Sequence, residues 1–168
     1  MIELKQNNTT PYLDCYTTDI SAKVMSDPEK YHAYERESIT RRIMVSLMKQ
    51  IQNAPLLVGL PGVGKTAIVE DLARQLLSTS VSSLKGKHLV QISLANLMKS
   101  SDGESFAHKF QAIIDELIAN KDTVIAFIDE IHQIVGTGAE TSGSSLDAGN
   151  IIKPALSRDD LQIIGATT

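Results

Sequence analysis

Cysteine is almost absent. Cys15 is the only one in 168 residues, so no intramolecular disulfide can form, and a reducing compartment suits the chain. Cys15 is read as structural or incidental. An apolar leader is also missing, because the opening residues MIELKQNNTT lack the hydrophobic core of a signal peptide. No stretch approaches the roughly 20 apolar residues needed to span a bilayer. There is no run of Lys or Arg to track a phosphate backbone, and the formal net charge is -4, which argues against a nucleic-acid coat. The expected location is the cytoplasm, with no membrane or nucleic-acid partner. His32, His88 and His108 show no metal-ligand spacing with Cys15. No Ser-His-Asp or Cys-His catalytic set is visible, and neither are internal repeats.

What the chain does have is a core. Hydrophobic residues make up 42%, enough for one globular domain of this length. The first 20 or so residues read as irregular and polar. A helix is expected from about Tyr34, with Ile39, Ile43, Leu47 and Ile51 forming one apolar stripe until Pro55 breaks it. Residues 56–58 are wholly apolar, which predicts a strand buried on both faces. A helix follows over 66–77, and a strand over 88–94. Phe106, Phe110, Ile113, Ile114, Leu117 and Ile118 predict a second helix. Strands are expected at 123–128 and 161–166. Between them lie a Gly/Ser/Thr-rich loop at 136–145 and a helix at 147–156 carrying Pro154. Strands alternating with helices predict an α/β fold, a parallel sheet with helices on both faces.

Three motifs carry chemistry. The first is Gly-x-x-x-x-Gly-Lys-Thr, filled by Gly59, Gly64, Lys65 and Thr66, between a strand and a helix. Glycines let the backbone wrap an anion so that several N–H groups face it, and the following helix adds its positive end. The candidate nucleotide-binding set is Gly59, Pro61, Gly62, Val63, Gly64, Lys65, Thr66 and Ala67. Lys65 can bridge β- and γ-phosphates, and Thr66 can offer a hydroxyl to magnesium. ATP with Mg²⁺ is the implied ligand pair. The second motif is an apolar strand ending in Asp129 and Glu130. Asp129 is the metal candidate, and Glu130 is the general base for the water attacking the γ-phosphate. The third, Gly165-Ala166-Thr167-Thr168, is weak alone because strand ends with threonine are common. His132, two residues past Glu130, is read as a structural or surface histidine.

The stretches GLPGVGKTAIVEDLA, VIAFIDEIHQIVGTG and LDAGNIIKPALSRDDLQIIGATT resemble the first ATPase module of the Clp-type AAA+ unfoldase chaperones. The likeness runs from about Arg36 to the chain end. It implies a P-loop NTPase fold, the AAA+ large subdomain, with strand order 5-1-4-3-2. It also implies hexameric rings of the chain with itself and the threading of protein substrates through a pore. By the same resemblance, Thr168 falls at the first sensor, which reads the γ-phosphate and orients water. Ala33 and Tyr34 fall where the adenine pocket begins. Residues 1–34 are then an N-terminal extension, and 35–168 the large subdomain.

Two departures stand out. The family's aromatic pore residue aligns with Asp102, and a carboxylate cannot grip apolar side chains in the same way. Either this relative handles substrate differently, or threading has been lost. The family's last strand, arginine finger and helical lid follow the point reached by Thr168, so slow hydrolysis is expected of this segment alone. Residues 56–58 are then expected at an open sheet edge with a tendency to self-associate. Three readings compete: an ATPase motor module, a nucleotide-binding interaction protein that no longer threads, and a P-loop enzyme of another class. All three require the loop lysine. Lys65→Ala should weaken nucleotide affinity about tenfold or more, since it deletes a charged phosphate donor. Calorimetric titration with ATP checks this, and unchanged affinity would defeat all three.

Overall fold

The computed structural model of the protein describes residues 10–99, 103–135, 144–158 and 161–168. In chain order the elements are α1 (Pro11–Tyr16), β1 (Thr17–Asp19), α2 (Ile20–Met25), a 3-10 turn (Pro28–Tyr31), α3 (Glu37–Leu47), β2 (Leu56–Val58) and α4 (Lys65–Ser78). There follow β3 (His88–Ile92), α5 (Leu94–Lys99), α6 (Phe106–Ala119), β4 (Val124–Ile128), α7 (His132–Val135), α8 (Ser144–Leu156) and β5 (Ile163–Thr167).

The five strands form one sheet in the order β1-β3-β4-β5-β2. The last four are mutually parallel, and β1 runs antiparallel to β3. This arrangement is consistent with the large subdomain that the resemblance implies. Side chains alternate across the pleat, and two cores result. On one face Ala126, Ile128 and Ile163 meet Phe110, Ile113, Ile114 and Leu117 of α6 and Ile152 of α8. On the other, Ile125, Phe127, Ile164 and Ala166 meet Val69, Leu72 and Leu76 of α4, with Ile43 and Leu47 of α3 beside them. A strand buried on both faces must be apolar along its buried length, and β4 and β5 up to Ala166 are.

The structure changes several expectations. Residues 11–25 are not irregular: they form α1, β1 and α2. Strand β1 is three residues long, too short to show a period, and its identity comes from pairing with β3. Helix α1 is anchored across the fold. The Glu116 carboxylate of α6 accepts from the amides of Tyr12 (3.0 Å) and Leu13 (2.8 Å), satisfying N–H groups that a helix start leaves unpaired. The apolar stripe of α3 ends at Leu47, and Ile51 is 68% exposed. Beyond Leu47 the helix cannot continue: Gln52 has φ of 57°, and Pro55 removes a donor. Strand β2 is not buried on both faces. Among the described residues it pairs only with β5, and Leu56 and Val58 are 54% and 70% exposed, so the run is apolar yet lies at the edge expected from the resemblance. Helix α8 tolerates Pro154 and ends two residues later. Most of the 136–145 loop and the position of Asp102 lie outside the described residues.

Glu116→Ala should therefore cost about 1–2 kcal/mol, the loss of a side-chain helix cap, read by urea unfolding. Amide exchange at Tyr12 and Leu13 should speed up selectively. Unaltered exchange at both would show that α1 does not depend on Glu116.

Candidate active site

Parallel strands put all their carboxyl ends on one rim of the sheet. The segment 59–64 leaves the rim after β2, Asp129 and Glu130 leave it after β4, and β5 ends there at Thr167. Because β5 lies between β4 and β2, it brings the two motifs together. Gly59 N donates to Thr167 O (3.2 Å), and Ile131 N donates to Ala166 O (2.9 Å). One strand end thus clamps both loops.

The glycine loop has the backbone its chemistry needs. Gly62 and Gly64 have φ of 79° and 90°, in the left-handed region that favours glycine. Gly64 is the N-cap of α4 and has no side-chain cap. The first amides of α4 therefore lack intrahelical partners and point toward the loop. Lys65 opens the helix, is mostly buried, and donates from Nζ to Gly59 O (2.8 Å) and Leu60 O (3.4 Å). With three donors on an ammonium, one is left for a ligand. Amides, a helix N-terminus and one ammonium form a donor set suited to a polyphosphate. Thr66 follows on the first turn. Pro61, Val63 and Ala67 complete the loop and the helix start, and Val63 Cγ2 lies 3.0 Å from where a Gly59 Cβ would stand.

Across β5, Asp129 Oδ1 accepts from the Glu130 amide (2.9 Å), leaving Oδ2 for another partner. Among the described residues no three acids or histidines cluster as a metal cage. Magnesium does not need one, since it is held by one or two oxygen side chains plus phosphates and water. Thr66 and Asp129 fit that pattern. Glu130 has φ of 50°, rare for a side chain with a Cβ. Its backbone is held there by the Ile131–Ala166 bond and by Gln133 N donating to Glu130 O (2.9 Å). Thr168 follows the end of β5 and is exposed, on the rim between the loop and the acids.

Sequence reasoning set His132 aside, yet the structure brings it in. Its Nδ1 lies 3.2 Å from Glu130 Oε2 and 3.1 Å from Thr167 Oγ1. Its place two residues past Glu130 was the one signal in the sequence, and the contact with Thr167, 35 positions away, gave none.

Beside the loop, a cleft of about 800 Å³ runs along the open edge of β2, with Arg36, Arg42, Val58, Val63 and Lys65 on its walls. Helix α3 forms one side. It is tied to α4 through Asp71, which is fully buried and accepts from Thr40 Oγ1 (3.2 Å), Arg74 Nε (2.9 Å) and Gln75 Nε2 (2.8 Å). A buried carboxylate so well supplied with donors holds its place. Of the 33–36 stretch, Arg36 reaches the cleft. Ala33 is buried, and Tyr34 is largely exposed, its ring stacked on His32 at 4.4 Å.

A family profile described as "ATPase family associated with various cellular activities (AAA)" matches residues 55–168. The chain is 43% identical over 162 residues to the chaperone protein ClpB of Corynebacterium diphtheriae, covering 93% of this chain and 18% of that protein. It is 45% identical over 156 residues to ClpB of Dichelobacter nodosus, covering 91% of this chain and again 18% of that protein. The chain thus spans less than a fifth of the length of these relatives. Among solved structures, a closed-state reconstruction of Hsp104 with ATPγS and FITC-casein superposes with a TM-score of 0.77 at 36% identity, over 94% of this chain and 26% of that one. A complex of Saccharomyces cerevisiae Hsp104 with ADP gives 0.77 at 35%, with the same coverage.

The loop geometry makes a test. In Gly64→Ala a Cβ meets nothing closer than 4.0 Å, so space is not the obstacle; the left-handed backbone is. The expected cost is about 1–2 kcal/mol, with weaker nucleotide binding, read by thermal denaturation with and without ATP. An alanine variant as stable as the parent would show that the loop can relax to another backbone.

Proposed function

The chain belongs to the AAA family of ATPases, and from that premise we propose that it binds ATP with Mg²⁺ and hydrolyses it as the motor module of a Clp-like protein unfoldase. The observation that carries this reading is the clamp at the end of β5. It holds the phosphate loop and the acidic pair against one strand, so a phosphate donor set and a carboxylate face one space.

The residues divide the work by what they can donate or accept. The amides of 62–66 and the Lys65 ammonium cradle the phosphates. Thr66 and Asp129 would hold the magnesium, which when bound supplies positive charge against the phosphate oxygens. Glu130 accepts a proton from the attacking water, and its partly exposed carboxylate leaves water access. Thr168, beside Thr167 on the rim, orients that water. The base of the nucleotide is assigned to the cleft side of the loop beside Arg36, and the resemblance alone extends that assignment to Ala33 and Tyr34, which do not line the cleft. Assembly into a hexamer, action on protein substrates and a cytoplasmic location follow from the family by analogy. Among the described residues no helix is long and apolar enough to cross a membrane.

A second reading is a nucleotide-binding interaction protein derived from a Clp ATPase that no longer threads substrates. Asp102, at the aligned position of the pore aromatic, favours it. The two readings part in a threading assay on the longest natural form of the protein, where Asp102→Tyr should raise threading if the motor is intact.

For the hydrolysis itself, Glu130→Gln keeps the size of the side chain and removes its basicity. Turnover should fall by about a hundredfold or more, while ATP stays bound in equilibrium binding. A Gln variant with full turnover would remove Glu130 from the reaction.

A further inference from the structure

The backbone of Glu130 is fixed, but its side chain is not fixed by the backbone. The Ile131–Ala166 bond holds the main chain to β5, and the Gln133–Glu130 bond closes the turn on itself. A glutamate side chain still has three rotatable bonds, and ordering them costs entropy. Among the described residues its carboxylate has one side-chain contact, His132 Nδ1 at 3.2 Å. The same nitrogen lies 3.1 Å from Thr167 Oγ1. An ionised carboxylate only accepts hydrogen bonds. A bare Nδ1 facing it would set lone pair against lone pair, so a ring that donates to Glu130 carries its proton on Nδ1, whereas the Thr167 contact suits either tautomer. Thr167 Oγ1 then shares that N–H as a second acceptor. Both side chains are partly exposed, 50% for His132 and 35% for Glu130, so the pair adds little to stability. Its value lies in direction: Oε2 is engaged, and Oε1 is left for water.

We propose that His132 is a positioning residue that aims the Glu130 carboxylate and couples it to the end of β5 through Thr167, with the ring held as the Nδ1–H form. This rests on the hydrolysis reading above for its effect on rate, though not for the state of the ring. The arrangement generalises the principle that a base is oriented by a third group. It also gives the strand end a route to the base, since Thr167 adjoins Thr168.

The test uses His132→Ala, His132→Asn and His132→Gln in the full chain. The amide nitrogen of Asn sits close to where Nδ1 sits, and that of Gln reaches toward Nε2. At saturating ATP and magnesium, kcat should fall about tenfold in the Ala and Gln variants, the usual scale for losing an orienting partner. KM should stay within about twofold, and Asn should restore most of the rate. A second readout does not need turnover. Nitrogen-15 spectra of the His132 ring at alkaline pH should show the proton on Nδ1, and Glu130→Ala should release that preference. Equal rates in the Asn and Ala variants, or a ring with its proton on Nε2, would overturn the proposal. If the parent chain and Glu130→Gln turn over ATP equally, the hydrolysis reading fails, and the ring spectra still decide the role of His132.

Discussion

The parallel pairing of β5 between β4 and β2 is the constraint on which the rest depends. It is short and wholly buried except at its end, and it closes two unrelated loops onto one rim. Its register is set partly by what it lacks. A Cβ on Gly165 would stand 2.9 Å from Leu56 Cδ1 and 3.2 Å from Ile131 Cδ1. Those are distances at which the neighbours must move. Without a side chain there, β2 and the 129–131 turn can close on the strand from either side, and the amides of Gly59 and Ile131 reach its carbonyls. A buried backbone group left unpaired costs as much as a lost hydrogen bond, so these two bonds set positions as well as filling valences.

Around that strand the molecule is firm in some places and strained in others. Two apolar cores hold the sheet from both faces, and Asp71 ties α4 to α3 through Thr40 while Arg74 and Gln75 of its own helix complete its donors. Among the described residues, left-handed backbone at a residue with a Cβ occurs at Glu35, at Gln52 and, on the rim, at Glu130. A left-handed glutamate costs free energy that only surrounding structure can sustain, and here a sustaining bond runs from Ile131 to β5. That the one strained side chain on the rim is also the proposed base fits the rule that backbone outliers gather at working sites.

Much of this was legible from residues alone. The runs at 123–128 and 161–166 announced strands of a parallel sheet, the stripe from Phe106 to Ile118 announced α6, and the Gly-Lys-Thr spacing announced a phosphate loop between a strand and a helix. The failures share one cause, which is dependence on a distant partner. Strand β1 exists because β3 offers it an edge. Helix α1 starts where it does because Glu116, more than a hundred positions away, supplies acceptors. Residues 56–58 carry the composition of a central strand, yet among the described residues they pair on one side only. Ile51 fits the helical spacing of Ile39, Ile43 and Leu47, but a left-handed Gln52 and Pro55 turn the chain away first. Helices α5 and α7 span six and four residues, too few for a periodic signal to form.

Local chemistry and tertiary arrangement therefore divided the work along a physical line. The sequence by itself determined which groups could do what: glycines that reach left-handed backbone, an ammonium and a hydroxyl after them, two carboxylates at the end of an apolar strand. These are properties of single residues and short spacings, so they survive without coordinates. Only the tertiary structure decided who meets whom. The joining of both loops by β5, the contact of His132 with Thr167, and the anchoring of α3 by Asp71 all cross long stretches of chain. No spacing rule encodes them, because they follow from strand order and from the requirement that buried polar groups find partners.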